Sequence, residues 1–197
     1  MAFSVVVIGT SWGGLAALSK LLGGLPADFP IPIVVVQHRG KESEHLLREL
    51  LQDTTKLTVC EIEDKDPLKA CTVHLAPSNY HVLIEQGFVS LTTEDPVRFS
   101  RPSIDVMFTS AGDVYRSETI GVVMTGANED GARGLRHIAQ LGGRALVQDP
   151  KTAEIPIMPA AAIKAVPKAE VLPLASIAPR LVELSQQANQ FARLKTV

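Results

Sequence analysis

Three short apolar runs constrain this chain most: Ser4–Ile8 (SVVVI), Ile33–Gln37 (IVVVQ) and Thr119–Met124 (TIGVVM) are rich in β-branched residues and do not alternate with polar ones. A strand with one wet face alternates in polarity, so runs apolar on both faces belong to a sheet covered on both sides. Each leads through a loop into a helical pattern, over Leu15–Leu22, Glu42–Gln52 and Ala132–Leu141. Further helices are predicted over Ile104–Tyr115, with Ser103 as N-cap, and over Ile177–Leu194, and a further strand over Gly143–Val147. Strands alternating with helices predict an α/β fold: a doubly wound, mostly parallel sheet with helices on both faces and right-handed crossovers. Between them, Lys56–Glu61, Cys71–Leu75, His81–Glu85 and Phe88–Leu91 read as short strands separated by turn signals such as Pro77-Ser78-Asn79 and Gln86-Gly87. They predict a small insertion of antiparallel hairpins.

The 197 residues, 46% of them hydrophobic, suffice for one well-filled domain, expected to run over 1–197. Nineteen Lys and Arg against 21 Asp and Glu leave a net charge of -2, so nothing draws the chain to a polyanion and no nucleic-acid partner is expected. The first apolar run is too short for a membrane span or a signal sequence, which predicts no membrane insertion. Cys60 and Cys71 form neither a CxxC pair nor a disulfide framework, and are expected to be buried thiols in a cytoplasmic protein. The histidines, His38, His45, His74, His81 and His137, have no ligand spacing with them, so neither metal nor other cofactor is expected.

In doubly wound sheets, binding groups collect on loops after the carboxyl ends of strands. Gly9-Thr10-Ser11-Trp12-Gly13-Gly14 follows the first strand and fits G-x-S-x-G, a sharp turn that projects a serine hydroxyl beside a helix N-terminus. Read alone, it serves equally as a glycine turn with Ser11 as a helix cap. A dinucleotide loop fits worse, because Ser11 stands where glycine is needed and Gln37-His38 stands where a ribose-binding acid belongs. His38 follows the second strand and points to the same sheet edge as Ser11. Asp130 closes the loop Thr125–Gly131 after the third run, where it can accept the His38 Nδ1–H or simply cap a helix. Glu129 is the competing carboxylate, read as a solvated loop charge. The chain order Ser, His, Asp differs from the Ser, Asp, His of α/β-hydrolases.

Taken together, GTSWGG around Ser11, VVQHR around His38, HLAPSNYHVLI from His74, RPSIDVMFTSAG from Arg101, MTGANEDGARG around Asp130 and QDPKTAEIPIMPAAAI from Gln148 resemble the catalytic domain of the chemotaxis protein-glutamate methylesterase (CheB) family. The resemblance runs from Val5 to about Ala188. It implies a Ser11-His38-Asp130 triad that hydrolyses glutamate γ-methyl esters on chemoreceptors and also deamidates receptor glutamines. The Trp12 and Ala127 N–H groups are then the candidate oxyanion donors, and His81 and Arg101 match motif positions at the rim. The loop before Asp130 usually reads G-M-G-N-D in this family, against Gly126-Ala127-Asn128-Glu129-Asp130 here, and Trp12 stands where a small residue is common. The alternative these departures leave is a serine esterase or amidase of the same fold acting on another protein or a small ester. Chemotaxis members also carry an N-terminal receiver domain. With the first catalytic strand at Ser4, no receiver is expected here, and a separate regulator would take its place.

Overall fold

The computed structural model describes residues 3–38 and 44–194, with side chains at 44–45 and beyond 186 excepted. Its main sheet has seven strands: β1 (Val5–Thr10), β2 (Ile33–Gln37), β3 (Thr58–Glu61), β4 (Thr72–Leu75), β7 (Thr119–Val123), β8 (Arg144–Gln148) and β9 (Glu170–Leu172). Their order is β3-β4-β2-β1-β7-β8-β9, and every pairing is parallel. A separate antiparallel ribbon joins β5 (His81–Glu85) to β6 (Phe88–Thr92).

The lack of alternation in the apolar runs now has its physical cause. Val6 and Ile8 of β1, Ile33 and Val35 of β2 and Ile120 and Val122 of β7 pack on one face, under α1 (Gly14–Gly23), α2 (Glu44–Gln52) and α6 (Leu174–Leu194). Val5 and Val7, Val34 and Val36, and Val123 pack on the other, under α3 (Ile104–Tyr115), α4 (Ala132–Gln140) and α5 (Ile157–Ala165). Burying each such side chain contributes about 1.5–3 kcal/mol, so both faces demand a helical layer.

Four local expectations are corrected. Lys56–Glu61 and Cys71–Leu75 are not a hairpin: β3 and β4 extend the parallel sheet beyond β2, and only β5 and β6 form an antiparallel pair. The four runs were too short to reveal strand direction, which the intervening chain sets. Cys60 and Cys71 are half-buried free thiols, because they lie at the sheet margin. Ser103 occupies the N-cap position of α3 but makes no capping bond, and Gly13, not Ser11, holds the cap position of α1. The helix α5 and the strand β9 had not been anticipated. Of the predicted helix Glu42–Gln52, residues 42–43 lie outside the described residues, as do Arg39 and Gly40.

From β1 the chain passes through β2 to the edge strand β3, fills β4 between β3 and β2, then returns to place β7 on the other side of β1. The direction of winding reverses at β1, and a crevice forms there outside the strand ends, between the loops after β1, β2 and β7.

Candidate active site

Backbone hydrogen bonds lash those three loops together. The Ser11 N–H donates to Thr125 O at 2.9 Å and the His38 N–H to Thr10 O at 3.0 Å. Gln37, the last residue of β2, donates through Nε2 to Ser11 O at 2.7 Å and to His38 O at 2.9 Å. Thr125 Oγ1 donates to Trp12 O at 2.9 Å, and Gln148 Oε1 accepts the Thr125 N–H at 2.9 Å. Each of these groups stands just past an apolar run, where a lone polar residue is the sequence signal for it. The glycines after Ser11 are explained by the same packing. Gly13 has a φ of 76°, and a Cβ on Gly14 would lie 1.9 Å from Gln37 Oε1.

Ser11 and His38 line one cavity of about 390 Å³ with Phe99, Ser100, Arg101, Pro102 and Asn128. On its other side Ser11 opens into a second hollow with Trp12, Leu15 and Glu154, where the Trp12 indole N–H donates to Glu154 Oε1 at 3.1 Å. Trp12 is 66% exposed, beside the serine. Among the described residues, the Ser11 hydroxyl makes no hydrogen bond, and the Trp12 and Ala127 N–H groups have no acceptor.

His38 Nε2 meets Asp130 Oδ2 at 3.0 Å, with the carboxylate almost fully buried. The expected contact ran through Nδ1; in the structure the ring presents Nε2 to the carboxylate, which can only accept, and Nδ1 to Asn128 Nδ2 at 3.2 Å, which can only donate. The proton therefore sits on Nε2, and the basic lone pair sits on Nδ1.

Besides its neighbour Gly131, Asp130 caps a helix other than the one it precedes. Its carboxylate accepts the Ile104 N–H at 2.7 Å, the Asp105 N–H at 2.9 Å and the Ser103 hydroxyl at 3.0 Å, all at the start of α3. Asp105 returns the arrangement: its Oδ1 accepts the Gly131 N–H at 3.0 Å and the Gly134 N–H at 2.7 Å, at the start of α4. Two buried carboxylates thus cross-cap two neighbouring helices, and both profit from the positive helix ends. Burial alone would raise the Asp130 carboxyl, but hydrogen bonds from His38 and from the Asp105 and Ile104 N–H groups, with the His38 charge, hold it below its ordinary value. Asp105 shifts the opposite way: burial pushes its carboxyl up, its Gly134 bond works against that, and the Asp130 charge adds to the rise.

The second shift predicts a pH signature. A carboxyl raised by folding favours the native state below its unfolded pKa, near 3.8, and that contribution is lost as pH climbs through the raised folded value. Asp105→Asn keeps an acceptor for Gly131 and Gly134 and removes the titration. Its melting temperature relative to wild type is therefore expected to rise with pH from about 3.5 upward in thermal melts, and a pH-independent difference would contradict this.

Both rim residues make structural contacts. His81 is 1% exposed; its Nδ1 accepts the Ser103 N–H at 3.1 Å while Nε2 faces Asp95 O at 3.2 Å, so it seats the residue that contacts Asp130. Arg101 spans Thr93 O, Glu94 O and Asn79 Oδ1 at 2.6–3.2 Å and so fixes the cavity wall. Glu129 is an outward charge 3.6 Å from Arg98. Among the described residues no cluster of three or more His, Cys, Asp or Glu can hold a metal ion, and no helix is long and apolar enough to cross a membrane.

A family model described as CheB methylesterase matches residues 6–181. The chain belongs to the CheB methylesterase family. A Leptospira interrogans protein bearing the name protein-glutamate methylesterase/protein-glutamine glutaminase is 46% identical over 187 residues, which cover 94% of this chain and 97% of that one. Protein-glutamate methylesterase/protein-glutamine glutaminase 2 of Anaeromyxobacter dehalogenans is 42% identical over 182 residues, 92% of this chain and 53% of that protein. The chain thus spans nearly all of the first relative and about half of the second. The crystal structure of the Thermotoga maritima CheB methylesterase catalytic domain superposes with a TM-score of 0.88 at 34% identity, covering 93% of this chain and all of that one. That CheB domain and this chain share one fold, a parallel sheet with helices on both faces and a small two-stranded ribbon.

Proposed function

We propose that this CheB-family chain hydrolyses glutamate γ-methyl esters on chemoreceptors to glutamate and methanol, deamidates receptor glutamines by the same route, and so serves adaptation in chemotaxis. The observation that carries the reading is the Asp130–His38 pair at 3.0 Å, beside Ser11 in one cavity of a chain from this family. Ser11 is the nucleophile, His38 the general base and then acid, and Asp130 the carboxylate that orients the ring and stabilises the imidazolium.

As Ser11 Oγ bonds to the side-chain carbonyl carbon, its proton passes to His38 Nδ1 and the carbonyl electron pair moves onto oxygen. The N–H groups of Trp12 and Ala127 are the donors for that oxyanion. Collapse of the intermediate expels methanol or ammonia, which carries away the Nδ1 proton. Water then repeats the sequence on the acyl-serine, gives up its proton through His38 and releases glutamate. No step calls for a cofactor. The substrate partner is the cytoplasmic signalling part of a methyl-accepting receptor, which places the chain in the cytoplasm.

The exposed Trp12 and its Glu154 partner favour a second reading, a serine esterase or amidase acting on another protein or a small ester. Turnover of methylated receptor membranes and of generic small esters, measured side by side, separates the two. The primary reading expects a kcat/KM at least about a hundredfold higher on receptor, and a preference for generic esters contradicts it.

A further inference from the structure

We infer that Asn128 is a positioning residue that holds the general base in its resting state and must be displaced from it by the Ser11 hydroxyl. The inference rests on the serine-hydrolase reading above. Asn128 Oδ1 accepts the Asp130 N–H at 3.0 Å, which fixes the amide so that its Nδ2 faces His38 Nδ1 at 3.2 Å. The lone pair the reaction needs is therefore already engaged, while the Ser11 hydroxyl in the same cavity has no partner among the described residues.

Magnitudes decide what this bond does. The His38 tautomer is set from the other side, where a buried carboxylate accepts the Nε2–H and a charge-assisted bond outweighs a neutral one. The Asn128 bond adds little to tautomer choice, but it occupies Nδ1. Nδ1 has a single lone pair, so the Ser11 hydroxyl can deliver its proton only after the amide has left, and the protonated Nδ1 cannot take it back.

Among the described residues, the charged groups around His38 are few. Asp130 faces Nε2, Arg101 shares the wall of one cavity, and Glu154 that of the other. None of them faces Nδ1 at hydrogen-bond distance, so among the described residues a carboxylate introduced at 128 would be the nearest charge on that side.

The test measures the second-order rate of Ser11 labelling by a fluorophosphonate probe in wild type, Asn128→Ala, Asn128→Gly and Asn128→Asp, together with 15N NMR of the His38 ring in Ser11→Ala. Losing a neutral hydrogen bond that competes for Nδ1 is expected to speed labelling about two- to tenfold in the Ala and Gly variants. Asn128→Asp is expected to favour the imidazolium and move the acidic limb of the labelling profile to higher pH. A merely structural Asn128 would lower stability without either kinetic change, and thermal melts of the same variants read that separately. In the NMR arm, the His38 ring of Ser11→Ala is expected to carry its proton on Nε2, with an Nδ1 resonance that moves when Asn128 is replaced in the same background.

Labelling that is unchanged or slower in both Ala and Gly variants overturns the inference, as does a proton on Nδ1. Wild type that never labels at Ser11 overturns the reading beneath it, and the ring resonances then still decide whether the Asn128 contact exists.

Discussion

Ser11→Ala is expected to fold as wild type does and to release no measurable methanol from methylated receptor membranes. The side chain removed makes no hydrogen bond among the described residues, so its loss costs the loop nothing. The bonds that hold that loop, from Gln37 Nε2 and Thr125 Oγ1 and to Thr125 O, all use the backbone at Ser11 and Trp12. Chemistry is affected quite differently. Removing the nucleophile of a triad hydrolase lowers kcat by on the order of a millionfold, and the small remainder comes from the oxyanion donors and binding. Methanol release, circular dichroism and thermal melting on the same preparation check both halves. Retained release in a folded variant would remove Ser11 from the mechanism.

Asp130→Asn is expected to damage both chemistry and stability, because one carboxylate serves both. In the site it fixes the ring through Nε2, and an amide there no longer specifies the tautomer or stabilises the imidazolium; in a serine triad that substitution costs on the order of 10⁴ in kcat. In the fold it accepts hydrogen bonds from Ser103, Ile104 and Asp105 at the start of α3 and from its neighbour Gly131. An amide must turn an N–H toward at least one of those donors, and a buried unmet donor costs about 1–3 kcal/mol. The variant is therefore expected to melt lower than wild type at pH 7.

The deficit depends on pH. A carboxyl lowered by folding contributes its full stability above the unfolded pKa, near 3.8, and loses it as pH falls through the lower folded value. The gap between variant and wild type should narrow below about pH 3.5. Asp105→Asn, whose carboxyl is shifted the other way, should show the opposite trend.

How much of this was legible in the chain depends on the range of each signal. The strands β1, β2 and β7 were legible because a run apolar on both faces has one economical environment, and the loops after them followed from the parallel arrangement. Ser11, His38 and Asp130 could be named because each stands at the end of such a run. The orientation of the His38 ring could not, since its partners Asp130 and Asn128 stand 92 and 90 residues away in sequence but 3.0 and 3.2 Å away in space. The cross-capping of α3 and α4 was hidden for the same reason: Ser103 looked like a cap, and only the fold brings Asp130 there to take the N–H groups instead. The strands β3 and β4 were misread as a hairpin because four residues carry no record of direction.

Every step proposed for this site depends on His38 making Ser11 nucleophilic. Intact-protein mass spectrometry after exposure to a fluorophosphonate tests it most directly, since the probe reacts only with an activated serine and needs no receptor. A single adduct, located on Ser11 by peptide mapping, is expected in wild type and none in His38→Ala. An adduct elsewhere, or labelling of Ser11 that survives the loss of His38, would contradict it.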